Sequence, residues 1–233
     1  MNPDFKSMSY LGLAAVFTAW AFILASIALN PWWVGHFTTG ALSELGTPGD
    51  HVKYPWIYNS GLVIKSILAF LYSVSLAYLS LNRVQVVGSA FFMIASVFLA
   101  MIEIFHGGTY PHDFVSSYFF VQADLSAFTW GIGLLLSRFR GTGITVLALS
   151  VVAPVLASLL PLTSAAEDET LGILAIDLWV FIMHFGFVRK SSGLGAKPAP
   201  SPARGTFGKP TGSRCSNSKS NSHLVSPSNS LIR

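Results

Sequence analysis

The chain has 233 residues, of which 52% are hydrophobic and only 10% charged, against about 25% charged in an ordinary soluble domain. So few charges cannot keep a water-exposed fold of this length in solution, and the composition points to a bilayer as the solvent. The net charge of +4 joins two opposed parts: residues 1–188 hold all ten Asp and Glu and six Lys or Arg, a balance of −4, and residues 189–233 hold eight Lys or Arg and no acid, a balance of +8. A single cysteine, Cys215, excludes an intrachain disulfide framework.

The N-terminal region has only Lys6 as a basic residue, and its apolar run from Tyr10 to Leu29 is twenty residues long. A secretory h-region is about 7–15 residues, so this run is expected to be the first retained membrane helix. A hydrocarbon core of about 30 Å takes roughly twenty residues of helix. Six segments meet that length, at about 10–29, 57–80, 84–105, 115–137, 143–161 and 170–188. Breakers separate them: Asn30-Pro31, Asn82-Arg83, His106-Gly107-Gly108, Arg138 to Gly143, and Pro161. Pro154 falls inside the fifth and is expected to kink it, which neighbouring membrane helices tolerate.

With six spans, Lys6, Arg83, Arg138, Arg140, Arg189 and Lys190 all fall on one side, while loops 30–56, 106–114 and 162–169 hold most of the acids. Short-loop positive charge stays inside, so both termini are expected in the cytoplasm. The sequence therefore reads as an all-α, six-helix transmembrane domain over 1–190, multi-pass in the plasma membrane. A basic Ser-, Gly- and Pro-rich tail follows over 191–233. That tail holds too few large apolar residues to offset ordering entropy and is expected to be disordered. Its charge suits anionic lipid headgroups, which makes membrane lipids the expected partners.

Asn30-Pro31-Trp32, Ala41-Leu42-Ser43-Glu44-Leu45-Gly46, Trp56-Ile57-Tyr58-Asn59-Ser60-Gly61-Leu62 and Gly108-Thr109-Tyr110-Pro111-His112 follow one another in order. Over about residues 8–188 this pattern resembles the DUF998 family of integral membrane proteins, largely prokaryotic and without an assigned reaction. The resemblance implies a six-helix bundle and supplies no chemistry. Lys65 and Asp124 depart from the small or apolar residues the family pattern leads one to expect.

Two polar constellations stand out. The first is an outer rim of His36, Glu44, Asp50, His51, Glu103, His106, His112 and Asp113. Glu103 and His106 are three residues apart, which places them on one face of a helix, and His112-Asp113 follows after a short loop. Two imidazoles with carboxylates can hold a divalent metal, so Glu103, His106 and His112 are the candidate metal ligands. A zinc-activated water there would suit a lipid headgroup ester. The spacing matches no established ligand motif, and a hydrated loop cluster or a headgroup-binding site accounts for the same residues. Glu44 has two readings, an acid, base or ligand, or part of a turn completed by Gly46, Pro48 and Gly49. Trp32, Trp33, Tyr54 and Trp56 fit an interfacial aromatic belt.

The second constellation is intramembrane. Counted from the outer ends of their helices, Lys65, Asp124 and Asp177 reach about 10–14 Å depth. A lone charge there costs several kcal/mol, so Lys65 is expected to contact at least one of the aspartates. His184 lies seven residues beyond Asp177 on the same helical face. A proton relay, a headgroup site and a register-fixing ion pair all fit.

No phosphate loop, dinucleotide fingerprint or His-Glu-x-x-His is present. Gly131-x-Gly133 signals only close helix packing. Cys215 in the tail is no nucleophile, and a tail without interleaved aromatics gives no nucleic-acid surface. The sequence thus leads to a non-enzymatic membrane module binding a lipid or small polar ligand at its outer face. The alternatives are a metal-assisted hydrolase or transferase on lipid headgroups, and a small proton-coupled transporter. No organic cofactor is expected.

Overall fold

The computed structural model describes residues 10–194 together with Ser7, and their regular structure is all helical, with no strand among them. The long helices are α1 (Tyr10–Leu29), α3 (Pro55–Leu79), α4 (Arg83–Ile104), α5 (Tyr110–Leu135), α6 (Arg140–Leu159) and α7 (Ala165–Met183). A four-residue α2 (Trp33–His36) and a 3₁₀ turn (Leu42–Gly46) occupy the first long loop. Helix α7 runs on through a π-helical turn (His184–Val188) into α8 (Arg189–Leu194). Residues 191–194 are therefore helix where the sequence led us to expect the tail to begin. The remainder of that tail, from 195, lies outside the described residues, as does Lys6.

Each boundary has a local cause. Asn82 caps α4 by accepting from the Gln85 backbone N–H at 3.1 Å, and Ser164 caps α7 by accepting from that of Glu167 at 3.2 Å. Pro55 and Pro111 sit in the first turns of α3 and α5, where a missing N–H is harmless. Gly108, at φ 84°, makes the left-handed turn between α4 and α5.

From α3 onward, short loops make successive long helices antiparallel neighbours. Helix α1 packs on α3, α3 on α4, α4 on α5 and α5 on α6, while α7 touches α1, α5 and α6. The centre is aromatic and dry: Tyr72, Trp130 and Phe187 are 0% exposed and belong to one cluster. Outward surfaces are equally apolar, with Phe17 63%, Leu24 58% and Ile144 61% exposed. In water such a surface would associate, whereas lipid tails accept it.

Helices α1, α3, α4, α6 and the continuous α7–α8 rod are long and apolar enough to cross a membrane. Helix α5 is longer than α1, α4 or α6 but falls short on apolarity, because it carries His112, Asp113, Gln122 and Asp124. The chain is a multi-pass, all-helical membrane protein with five such helices among its described residues.

The two glycines of Gly131-x-Gly133 serve different contacts. A Cβ on Gly131 would come within 2.9 Å of the Leu147 backbone of α6, and one on Gly133 within 2.5 Å of the Gln85 side chain of α4. Two residues apart, the glycines point to nearly opposite sides of the helix, and α5 is held closely on both.

Candidate functional site

The loop between α1 and α3 is tied down at both ends. Asn30, 1% exposed, donates to the Ser26 carbonyl at 2.9 Å and the Lys53 carbonyl at 3.0 Å and accepts from the Lys53 backbone N–H at 2.7 Å. One side chain thus clamps the end of α1 to the approach of α3. The Glu44 carboxylate accepts from the Ala41 backbone N–H at 3.2 Å, closing its own 3₁₀ turn. Leu45 in that turn is 0% exposed, and the Gly46 carbonyl accepts from Asn59 of α3 at 3.0 Å. The Ser-Glu-Leu-Gly element is in this respect a folded plug. Its other side is sewn to α7: the Leu42 N–H donates to Glu169 at 2.7 Å, Ser164 donates to the Phe37 carbonyl at 2.6 Å, and the Ala166 N–H donates to the Gly40 carbonyl at 3.0 Å.

Beside this plug a groove of about 1010 Å³ runs between α5, α6 and α7. Its long walls are apolar or small, with Phe120, Val121, Leu149, Ile176 and Trp179 among them. Small residues of α6, namely Ser150, Ala153, Pro154, Ala157 and Ser158, leave the space unfilled. Polar groups gather at the loop end: Glu44, His112, Asp113, Asp168 and Glu169. Asp124 adds a half-buried carboxylate eleven residues along α5 from Asp113, or roughly 16 Å at helical rise. The volume matches a drug-sized ligand site.

The predicted outer rim divides here. Glu44, His112 and Asp113 line the groove, whereas Glu103 and His106 are absent from its wall, and His36, Asp50 and His51 are exposed elsewhere on the loop surface. Helix α4 ends at Ile104, so Glu103 and His106 do not share a helical face as their spacing suggested. His106 instead reaches the Gly107 carbonyl at 3.4 Å through Nδ1, and His112, 6% exposed, is fixed through Nδ1 to the Phe105 carbonyl at 2.7 Å. Among the described residues no three His, Cys, Asp or Glu side chains are placed to hold a metal ion. The set of Glu103, His106 and His112 does not fit one.

Inside the bundle, Lys65 Nζ and Asp177 Oδ1 are 3.9 Å apart, both side chains 6% exposed. The other carboxylate oxygen of Asp177 accepts from Trp20 Nε1 at 2.7 Å. The expected grouping of Lys65, Asp124, Asp177 and His184 is therefore corrected to a pair with an indole. Asp124 faces the groove, on a helix that packs chiefly on α4 and α6 rather than on α3. His184 lies two turns past Asp177, its ring 4.8 Å from that of Tyr10. Lys65 also borders a small cavity of about 30 Å³ with Tyr58, Ser43, Ser116 and Glu169, room for one or two waters. Ser43, Ser116, Phe120 and Glu169 line both spaces.

Three participants escaped the sequence reading. Trp20 carries no charge, yet a buried Asp needs N–H donors and Trp20 lies mid-way along α1, which a search for donors at that depth would have found. Glu169 and Asp168 read as loop acids, although the Ser164-x-x-Glu167 capping signal places them in the first turns of α7.

No curated protein and no solved structure matches the chain. The family model described as a protein of unknown function, DUF998, matches residues 13–186. That is well over half the sequence, and the chain belongs to the DUF998 family.

Proposed function

We propose that this protein is a six-span, non-enzymatic module of the plasma membrane that binds an amphiphile in the groove between α5, α6 and α7. The observation that carries the reading is the groove itself. Its walls are mostly apolar or small along parts of α5, α6 and α7, with carboxylates gathered at the plugged end and a further one, Asp124, part-way along. A lipid or small amphiphilic ligand likewise joins a polar part to a long apolar one. Filling the space tests it. Purified full-length protein carrying Ala153→Trp and Ala175→Trp, both on the groove wall, is expected to lose the amphiphile adducts that the parent retains in native mass spectrometry. Adducts that persist at parental levels would remove the groove from the function.

The topology supports a groove mouth on the outer side. Helix α5 has 26 residues, about 39 Å at helical rise, and short loops join it to two apolar helices. Its intermediate apolarity has a reason, since Asp124 faces the groove and Asp113 its mouth. Counting α5 as a span returns the chain to the cytoplasm after an even number of crossings, with Arg83, Arg138, Arg140 and Arg189 all inside. Reporter fusions at Arg83 and Arg140 are expected to read cytoplasmic, and fusions within 46–52 and 164–168 external. An external reading at Arg140 with a cytoplasmic one at Asp168 would show that α5 does not cross.

A second reading has a specific observation behind it. Glu169 lines both the groove and the small cavity that Lys65 borders, and Lys65 in turn lies 3.9 Å from Asp177, a line of ionisable groups from the mouth into the bundle. Proton-coupled transport uses such a route. Proton-dependent uptake into vesicles that is lost with Lys65→Met and Asp177→Leu together, while folding is retained, is the result that would favour it.

A further inference from the structure

We infer that the groove selects an amphipathic organic cation, with its ammonium seated on Asp124 and its apolar body along the α6 and α7 walls. This inference rests on the reading that the groove binds an amphiphile, and it adds the sign of the headgroup. The groove is lined by five carboxylates, those of Glu44, Asp113, Asp124, Asp168 and Glu169, and no Lys or Arg lines it among the described residues. Two of the five already have fold-internal work, since Glu44 closes its own turn and Glu169 holds the Leu42 N–H. Asp124 has none: among the described residues no hydrogen bond or ion pair reaches it. It stands part-way down a helix, half-buried, facing the open volume. Water screens the carboxylates at the mouth, whereas a charge pair formed at Asp124 acts in a less polar setting and gains more.

A second, independent feature marks the same space as a binding volume. Trp179 is 1% exposed and lines the groove, and its indole N–H has no acceptor within the fold. Buried indoles ordinarily have a partner. A ligand that carries an oxygen acceptor on its body and reaches that N–H would supply one. Fatty acids and phosphate-bearing lipids of net negative charge bring an anion to a row of carboxylates and are disfavoured on the same grounds.

Three probes with one apolar body and different heads decide the matter: dodecylamine, dodecanol and dodecanoate, each titrated against the full-length protein in maltoside micelles and followed by native mass spectrometry. Dodecylamine is expected to bind about tenfold tighter than dodecanol, the factor that a favourable charge contact of about 1.4 kcal/mol produces, with dodecanoate weakest. Asp124→Asn is expected to bring dodecylamine down to the level of dodecanol and to leave dodecanol unchanged. Should that variant not fold, the order of the three probes on the parent protein still decides. Dodecanoate binding as tightly as dodecylamine, or an Asp124→Asn protein with unchanged amine affinity, overturns the cation inference and leaves the amphiphile reading standing. Absence of binding by all three overturns both.

Discussion

Lys65→Met is expected to destabilise the purified protein by about 3–5 kcal/mol, and Lys65→Met with Asp177→Leu to recover most of that loss. The two side chains are 6% exposed and 3.9 Å apart. The small cavity beside Lys65 has room for one or two waters, too few to rehydrate a charge, so removing one partner leaves the other buried without its counter-charge. Removing both takes away the desolvation burden together with the attraction, and the pair can be close to neutral against apolar replacements of similar size. Asp177→Leu alone is expected to be at least as damaging as Lys65→Met. It strands both the ammonium and the Trp20 N–H, which donates to Asp177 at 2.7 Å. For the same reason the double variant is left with an orphaned indole, and adding Trp20→Phe is expected to recover about a further 1–3 kcal/mol. Thermal or denaturant unfolding in a fixed detergent reads the series. Losses that simply add, with a coupling under about 0.5 kcal/mol, would mean that the pair contributes nothing as a pair.

This series uses Asp177 as the partner, and the reason why depth alone could not choose it lies in helix geometry. The position of a residue along its helix fixes its height in the bundle, and the similar helix positions of Lys65, Asp124 and Asp177 were readable from the sequence. Which way each residue points depends on which helices are neighbours, and that is a tertiary property. Helix α7 reaches across to α1, bringing Asp177 toward Trp20 and Lys65, while α5 turns Asp124 toward α6 and α7. The helices themselves were legible because bilayer thickness sets their length and because Asn30-Pro31, Asn82 and Gly107-Gly108 interrupt them. The wide groove was harder to see. Its walls are ordinary apolar span residues, and the only written trace is a stripe of small side chains on one face of α6, at Ser150, Ala153, Pro154, Ala157 and Ser158, which cannot fill the space they face. Glu103 and His106 failed as a helical pair for a simpler reason, since the helix stops between them, at Ile104.

The second large effect is expected where α6 meets α5. Only Gly143, Val146 and Ser150 of α6 are buried. They fall at i, i+3 and i+7, a single narrow stripe, and beyond it Thr142 donates to the Gly186 carbonyl at 3.1 Å, while most of the helix faces lipid or the groove. Docking of α6 therefore depends on how closely this stripe approaches. A Cβ on Gly143 would lie 2.7 Å from the Leu135 backbone nitrogen and 3.0 Å from the Gly131 carbonyl oxygen. Both are backbone atoms, which no side-chain rotation can move aside, so the helices must separate. Without a hydrophobic drive between helices in lipid, close packing at small residues supplies much of the attraction, and separation forfeits it. Gly143→Ala is expected to destabilise by about 1–3 kcal/mol and Gly143→Leu to undock α6, exposing the 136–139 loop to protease. Gly141 provides the control on the same helix, because a Cβ there meets nothing within 4 Å. Gly141→Ala gains helix propensity and is expected to be neutral or stabilising by up to about 1 kcal/mol. The groove adds a second readout: α6 forms one of its walls, so a displaced α6 should lose the bound amphiphile even where the chain remains folded. Equal unfolding midpoints for Gly143→Ala and Gly141→Ala would show that the α5–α6 seam is loose enough to absorb a methyl group. The groove would then owe its shape to α7 alone.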